Sequence, residues 1–457
     1  MNRMLASARS GASFRGFIVK KSVVAVLVLL AVVVLVSPAI VGRLAENSMG
    51  ENLNWAANES GEVKVTSEKF ARGWFSSEGQ HRVELRDGEL LTAIQAMSGP
   101  VDAADLPVLV ISTHIDHGLI PVTSMSRDKG SLAPGLGSAV STLQVELPGG
   151  ETIAVPGTIY SKLSLGGNLH SNYVLEAGEH AEDSMTATWG PTDINVTTDP
   201  VSGHAAFNGT VGSLSVVDEN QTVSLRSLTF EGKQAPTSFG ISVGDVDFAL
   251  DDLVVAVAGN TVSGIKALAV KASTEIDGDD INANATMNMA LQDFPEIGEV
   301  SLDMIFGLKG ADAAAMGRVQ QALETVGATG DPMAVYSTIE GDIKTLFASG
   351  FDMNFEQLDV TLPQGKISSK MLFSFEEKDA ATFDWSSLLL GTEASIDLSI
   401  PVPVVEMIVQ ANPEAAMVIG GGYLVLRGDA YEMKAELKKG LLTVNGAPIP
   451  IPLGAVR

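Results

Sequence analysis

The stretch Tyr431-Glu432-Met433-Lys434-Ala435-Glu436-Leu437-Lys438 alternates apolar and charged residues with period two. Successive side chains of an extended chain point to opposite faces. Tyr431, Met433, Ala435 and Leu437 therefore face one way and four charges face the other, as in a half-buried strand. Gly440 turns the chain and Leu441-Leu442-Thr443-Val444 returns it. Asn445-Gly446 then closes that strand with a turn dipeptide, giving a C-terminal β-hairpin.

The same alternation recurs upstream. Ala394, Ile396, Leu398 and Ile400 alternate with Ser395, Asp397 and Ser399, and Met371, Phe373 and Phe375 lie between Lys370, Ser374 and Glu376. Phe351, Met353 and Phe355 share one phase, while Leu358, Val360 and Leu362 take the other, which predicts a β-bulge near Glu356-Gln357. Leu143 to Leu147 ends at the turn Pro148-Gly149-Gly150. Thr222 to Phe230 and Ile241 to Leu250 read as single strands, and Leu106 to Ser112 as an apolar one. Strand signals recur about every 10–15 residues from Gly61 to Asp293, without a motif-level repeat, the spacing of a long antiparallel meander, a sandwich or a barrel.

Helix signals are fewer. Ala311 to Val326 carries Met316, Val319 and Leu323 at helical spacing, and Gly327 follows. Asp331-Pro332 reads as an N-cap with proline in the first turn, leading a stripe of Val335, Ile339, Ile343 and Leu346 that ends at Gly350. A third helix is expected over Val404 to Gln410.

The first 42 residues hold Arg3, Arg9, Arg15, Lys20 and Lys21 and no acid, and Ser22 to Gly42 carries no charge. These 21 residues, at a rise of about 1.5 Å each, span about 30 Å as a helix, the thickness of a bilayer's hydrocarbon core. The remaining chain holds 24 basic against 55 acidic residues. A basic flank before the span and an acidic mass after it place the tail in the cytoplasm and the bulk across the membrane. A cleaved signal peptide is the alternative, with Ser37-Pro38-Ala39 as its site; the length of the apolar run and Pro38 within that site favour a retained anchor.

The expected fold class is thus α+β, predominantly β. An N-terminal transmembrane helix precedes long antiparallel sheet, which carries a helical hairpin insertion and the C-terminal β-hairpin. The expected divisions are a cytoplasmic basic tail (1–21), a signal anchor (22–42), a periplasmic β-rich region (43–300), the helical hairpin (301–350) and a C-terminal β-rich region on the same sheet system (351–457).

Composition excludes several chemistries. The chain has 457 residues, a net charge of −26 and no cysteine. Acidity argues against nucleic acid, which needs a basic patch. The lack of cysteine removes disulfides, thiolate metal sites and Cys nucleophiles. Gly240-Ile241-Ser242-Val243-Gly244 matches a nucleophile-elbow pattern, but a strand-like run follows it where an elbow needs a helix, and all six histidines precede Ser242. His114-Ile115-Asp116-His117 could ligate a metal only if the chain turned there, since positions 114 and 117 of a strand point to opposite faces. Asp277-Gly278-Asp279-Asp280 lacks the spacing of a calcium loop and reads as a solvated turn. No cofactor or metal is expected, and no catalytic residue.

Phe70-Ala71-Arg72-Gly73-Trp74-Phe75-Ser76-Ser77 and His117-Gly118 come first along the chain. Gly422-Tyr423-Leu424, Gly428-Asp429-Ala430-Tyr431 and Gly440 to Gly446 follow in that order. This set resembles the YdgA-like family of bacterial envelope proteins, a domain of unknown function, from about Lys20 to Pro448. The family usually has His-Gly-Pro where this chain has Leu119 and Ile120 before Pro121. The resemblance implies an inner-membrane anchor with a large periplasmic body and no established catalytic residues. Candidate structural or interaction residues are Arg72, Gly73, Trp74, Phe75, His117, Gly118, Asn445 and Gly446. Gly73 permits a bulge or turn, and Trp74 and Phe75 supply apolar area that pins the first strand pair, or else an aromatic pair for a partner or lipid.

The leading functional expectation is a non-enzymatic, single-pass protein of the bacterial inner membrane whose periplasmic sheet forms an apolar trough for lipid. The alternative is a structural or interaction protein of envelope assembly or motility, as a homodimer or with an envelope partner. An open apolar groove favours the first and a filled core the second.

Overall fold

Residues 63–450 are described in the computed structural model, apart from 73–75, 86–105, 118–134, 148–149, 151, 183–184, 220, 295–296, 328–331, 380–382, 384, 413 and 415. The expected anchor, 22–42, lies outside them. No described helix is long and apolar enough to cross a membrane.

Alternation in the sequence becomes one antiparallel sheet of 25 described strands. It begins with β1 (Val63–Arg72), β2 (Ser76–Leu85), β3 (Val108–His117), β4 (Gly135–Glu146) and β5 (Thr152–Ser164), paired in chain order. β3 continues five residues past Ser112, so His114 to His117 lie in the ladder and His117 pairs with Gly137; the turn expected at His117-Gly118 falls where the described residues stop.

A run of bent strands follows. β6 (Leu169–Leu175) leads into β7 (Gly178–Glu182), and β8 (Met185–Trp189) into β9 (Thr192–Thr198). β10 (Ala205–Val211) leads into β11 (Leu214–Asp218), and β12 (Gln221–Leu225) into β13 (Leu228–Pro236). β14 (Ser242–Leu250) leads into β15 (Leu253–Val257), and β16 (Asn260–Asp277) bends within itself. One arm of each joins the main sheet in the order β5, β6, β9, β10, β13, β14, β16. The other arm joins a side layer in the order β7, β8, β11, β12, β15, β16.

The expected single strand Thr222–Phe230 is therefore two strands, divided at Arg226-Ser227. The cause is visible in burial: Leu225 and Leu228 both join the core, as do Leu250 and Leu253, and Ile265 and Leu268. A spacing of three puts both residues inside only if the chain turns a corner between them. Cross-strand bonds continue through the corner, Asp251 N to Ser227 O at 2.9 Å and Arg226 N to Asp252 O at 3.0 Å, so little backbone pairing is lost.

The main sheet continues as a meander through β17 (Asp280–Phe294), β18 (Gly298–Asp312), β19 (Phe351–Leu362), β20 (Gly365–Phe375) and β21 (Thr392–Pro401). It ends with β22 (Val425–Arg427), β23 (Ala430–Lys438), β24 (Leu441–Val444) and β25 (Ala447–Ile449), with β23 beside β21. The expected bulge is present: Phe355 faces Met371 and Leu358 faces Ser369, leaving two residues of β19 opposite Lys370 alone. Asn445 and Gly446 form a two-residue hairpin tip with φ of 53° and 81°, the left-handed pair such a tip requires.

The helical hairpin is α1 (Ala313–Gly327) and α2 (Pro332–Ser349). Asp312 caps α1, its carboxylate accepting from Ala315 N at 2.6 Å. A Cβ on Gly317 would fall 2.1 Å from the Phe239 carbonyl, so only glycine lets α1 lie this close to the turn before β14. α3 (Trp385–Gly391), α4 (Val402–Ala411) and α5 (Ala416–Gly420) are shorter.

The main core joins Val65, Val83, Ile111 and Leu143 on the first strands to Ile194, Val196, Val211, Leu228 and Leu250. This half of the sheet is folded around a closed interior. A smaller cluster holds α1 and α2 on the strand ends through Ile241, Ile281, Ala311 and Ala313.

Candidate functional site

The apolar face of the sheet continues beyond the closed half, and the bulge in β19 keeps both Phe355 and Leu358 on it. One row runs Met304, Leu358, Ser369, Leu398 and Met433; beside it Leu302, Val360 and Ile367 align, as do Ile400 and Tyr431. A third runs Ala285, Phe306, Phe355, Met371, Ile396 and Ala435. From Met287 across to Leu437, none of the large apolar side chains of this face is buried; each remains half-buried. The floor is mostly Met, Leu, Ile, Val and Phe, and Ser369 is a polar exception, 5% exposed and with no partner for its Oγ among the described residues.

Helices close both ends. At one end Phe347 of α2 stands over Phe351 and Phe375, with ring centroids at 5.5 and 4.9 Å. At the other, Val404 and Val405 of α4 are buried, and Pro401 and Val404 lie over the Gly365 turn. Twelve residues of β19 at about 3.3 Å each span roughly 40 Å, longer than one leaflet's share of the roughly 30 Å hydrocarbon core. Chemically the face offers apolar contact area and no paired acid and base.

The opposite face is polar. Asn172, Asn195, Asn208, Glu231, Asp247, Lys271 and Thr286 occupy one cross-strand row. Asn172 Nδ2 donates to Asp193 and Asn195, both at 2.9 Å, and Lys271 pairs with Asp247. Two open hollows of about 610 and 500 Å³ share Asn208, Glu231 and Asp247 in their linings. At the bulge, Asp359 accepts from Lys366 Nζ and Gln357 Nε2, each at 2.7 Å. Burial pushes this carboxyl up, but donation by Lys366, Ser368 and Gln357 outweighs it and holds it below its usual range.

Hydroxyls inside the closed half pair with one another, Thr113 with Ser141 at 2.7 Å and Ser161 with Ser171 at 2.8 Å. His81 is 1% exposed; its Nδ1 meets Ser67 Oγ at 3.0 Å and its Nε2 has no partner. Burial lowers its pKa, so the ring sits there neutral. Burial pushes Tyr173 up to about 12, and its hydroxyl donates to the Pro156 carbonyl.

Of the residues singled out from sequence, Gly73, Trp74, Phe75 and Gly118 lie outside the described residues, as do the side chains of Arg72 and His117. The backbone still places their segments together: Arg72 pairs with Ser77, Ser77 with Ile115, and His117 ends the same strand two residues on. Asn445 is a tie. Its Oδ1 accepts from Lys434 N at 2.9 Å, and its Nδ2 donates to the carbonyls of Gly422 and Tyr423 at 3.2 and 3.0 Å. Two motif pieces of the C-terminus, Gly422-Tyr423 and Asn445-Gly446, thus meet at one side chain. Ser242 opens β14 with strand after it, without the helix an elbow needs. His114 bridges Asp116 at 3.3 Å and Glu78 at 3.6 Å on the surface of β2 and β3. Among the described residues no three of His, Asp and Glu gather to hold a metal. The sequence reading expects an apolar trough but not which strands line it; among the described residues no second layer covers the face from β17 to β23, and alternation within a strand does not encode that.

No curated protein and no solved structure matches the chain. A family model described as "Bacterial protein of unknown function (DUF945)" matches residues 19–452, nearly the whole length, and the chain belongs to that family.

Proposed function

We propose that this chain is a non-enzymatic, membrane-anchored envelope protein, cytoplasmic at its N-terminus and periplasmic in bulk, whose open β-face receives the acyl chains of lipid. The observation that carries the reading is the half-buried apolar face from β17 to β23, closed at both ends by helices. Contiguous apolar surface of this kind is costly to leave in water and marks an interaction site. Methionine, leucine and isoleucine suit flexible chains without fixed polar anchors. The uncharged 22–42 segment and its basic flank support anchoring, and the likeness to YdgA-like envelope proteins supports the compartment.

The second reading is a structural or interaction protein, with another copy of the chain covering the same face. The face favours it equally in area, but not in shape, since helices bound both ends. The test is native mass spectrometry of the detergent-extracted full chain. Co-purified lipid is expected, and it should fall several-fold in a Met304→Glu, Ile396→Glu double variant of native circular dichroism. Repeated absence of lipid from the parent chain, with a dimer present instead, sinks the lipid reading.

A further inference from the structure

We infer that Val402–Leu426 is the part of the protein that rests on the bilayer surface. This uses the anchoring part of the proposed function and not its lipid-handling part. Of the twelve exposed large apolar side chains among the described residues, five fall within residues 408–426: Ile408, Met417, Tyr423, Val425 and Leu426. Met417 is 69% exposed and Leu426 54%. The stretch 402–426 contains two charges, Glu406 and Glu414, in a chain of net charge −26. The acidic remainder is repelled from an anionic membrane, so this low-charge tip is the surface able to approach one.

The tip is built, not frayed. Val404 is fully buried, whereas Ile408, one turn along the same helix face, is exposed, so the apolar stripe of α4 runs past the edge of the body. Asn445 fastens the loop that carries Tyr423, a residue suited to the headgroup boundary. Leu426 pairs with Tyr431 and Tyr431 with Ile400, so the tip continues the open apolar face. The occupant follows from chain length. Twenty residues separate the uncharged span from Val63, and they reach at most roughly 70 Å, which limits how far the body can stand from the bilayer.

The chain has no cysteine, so single-cysteine variants of the full protein can be labelled at one place. Met417→Cys and Leu426→Cys would carry an environment-sensitive dye in phosphatidylcholine vesicles containing doxyl-labelled lipid. Val201→Cys, at an 88% exposed turn, is the control. Quenching at 417 and 426 should exceed that at 201 several-fold. Quenching equal to the control overturns the inference, and so does shielding of the tip by a second copy, read as energy transfer between labelled chains. The lipid reading is separately scored: co-purified lipid without tip quenching defeats the tip alone, and tip quenching without co-purified lipid defeats the groove alone.

Discussion

Thr192-Asp193-Ile194-Asn195-Val196-Thr197 in β9 and Ala394-Ser395-Ile396-Asp397-Leu398-Ser399 in β21 follow one alternation of apolar and polar side chains. Ile194 is 2% exposed and Val196 3%, while Ile396 and Leu398 are half-buried. The strands share a sheet and a face, and differ in whether other described residues cover them. The lesson is that a strand's own pattern selects a face for burial, and the tertiary arrangement decides whether burial is completed. In one half the face has become a core; in the other it has stayed a surface.

The largest expected effect tests that contrast directly. Ile194→Ala leaves a cavity in the closed half and should cost about 2–5 kcal/mol. Ile396→Ala, at a half-buried position that no described residue lids, should cost about 1 kcal/mol or less. Denaturant midpoints of the two variants in the full chain measure the difference. Equal costs would mean that the second face is covered after all, and the contrast would fail.

Much of the fold was legible in residues. The phase slip across Glu356-Gln357 marked the bulge, and Asn445-Gly446 its hairpin tip. The corners were not foreseen, though Leu225 with Leu228 and Leu250 with Leu253 carried the signal, an apolar spacing of three inside otherwise alternating runs. Gly190 and Pro191 mark one corner with strong chain breakers, whereas Arg226-Ser227 and Asp251-Asp252 carry only the weaker turn signals of Ser and Asp. The apolar positions of the site were legible one strand at a time. Their openness was not, because it depends on which strands end up facing one another.

The next effect concerns the edge of the open half. Asn445 holds three backbone groups and sits at positive φ. Asn445→Ala should cost about 1–2 kcal/mol, and the 421–424 amides should exchange hydrogen faster than those of β9. Uniform exchange across both would show that the tie does not hold the tip.

The closed half should also answer to acid in a way the open half does not. His81 is buried and neutral, with a folded pKa below its ordinary 6.5. Its contribution is fully present above 6.5, and stability is lost as pH falls from there toward the lowered folded value, because the unfolded chain takes up the proton first. His81→Gln should flatten that limb of the stability curve while leaving its slope above 6.5 unchanged. An unchanged acid limb would show that the ring is not held neutral by burial.

The smallest effect separates the halves by a single hydroxyl. Thr113, Ser141, Ser161 and Ser171 bury their oxygens in pairs, whereas Ser369 Oγ is buried on the open face without a partner. An unmade hydrogen bond carries the desolvation cost of its group, so removing the oxygen recovers that cost. Ser369→Ala should therefore be neutral or stabilising by up to about 1 kcal/mol, while Ser141→Ala, which orphans Thr113, should destabilise by about 1 kcal/mol or more. Thermal melts of the two variants give opposite signs on this account. Ser369→Ala should also leave co-purified lipid unchanged, since its oxygen is covered by its neighbours and offers nothing to a chain lying on the floor. A destabilised Ser369→Ala would mean that the hydroxyl has a partner in solution, and that this part of the floor is more polar than its neighbours make it.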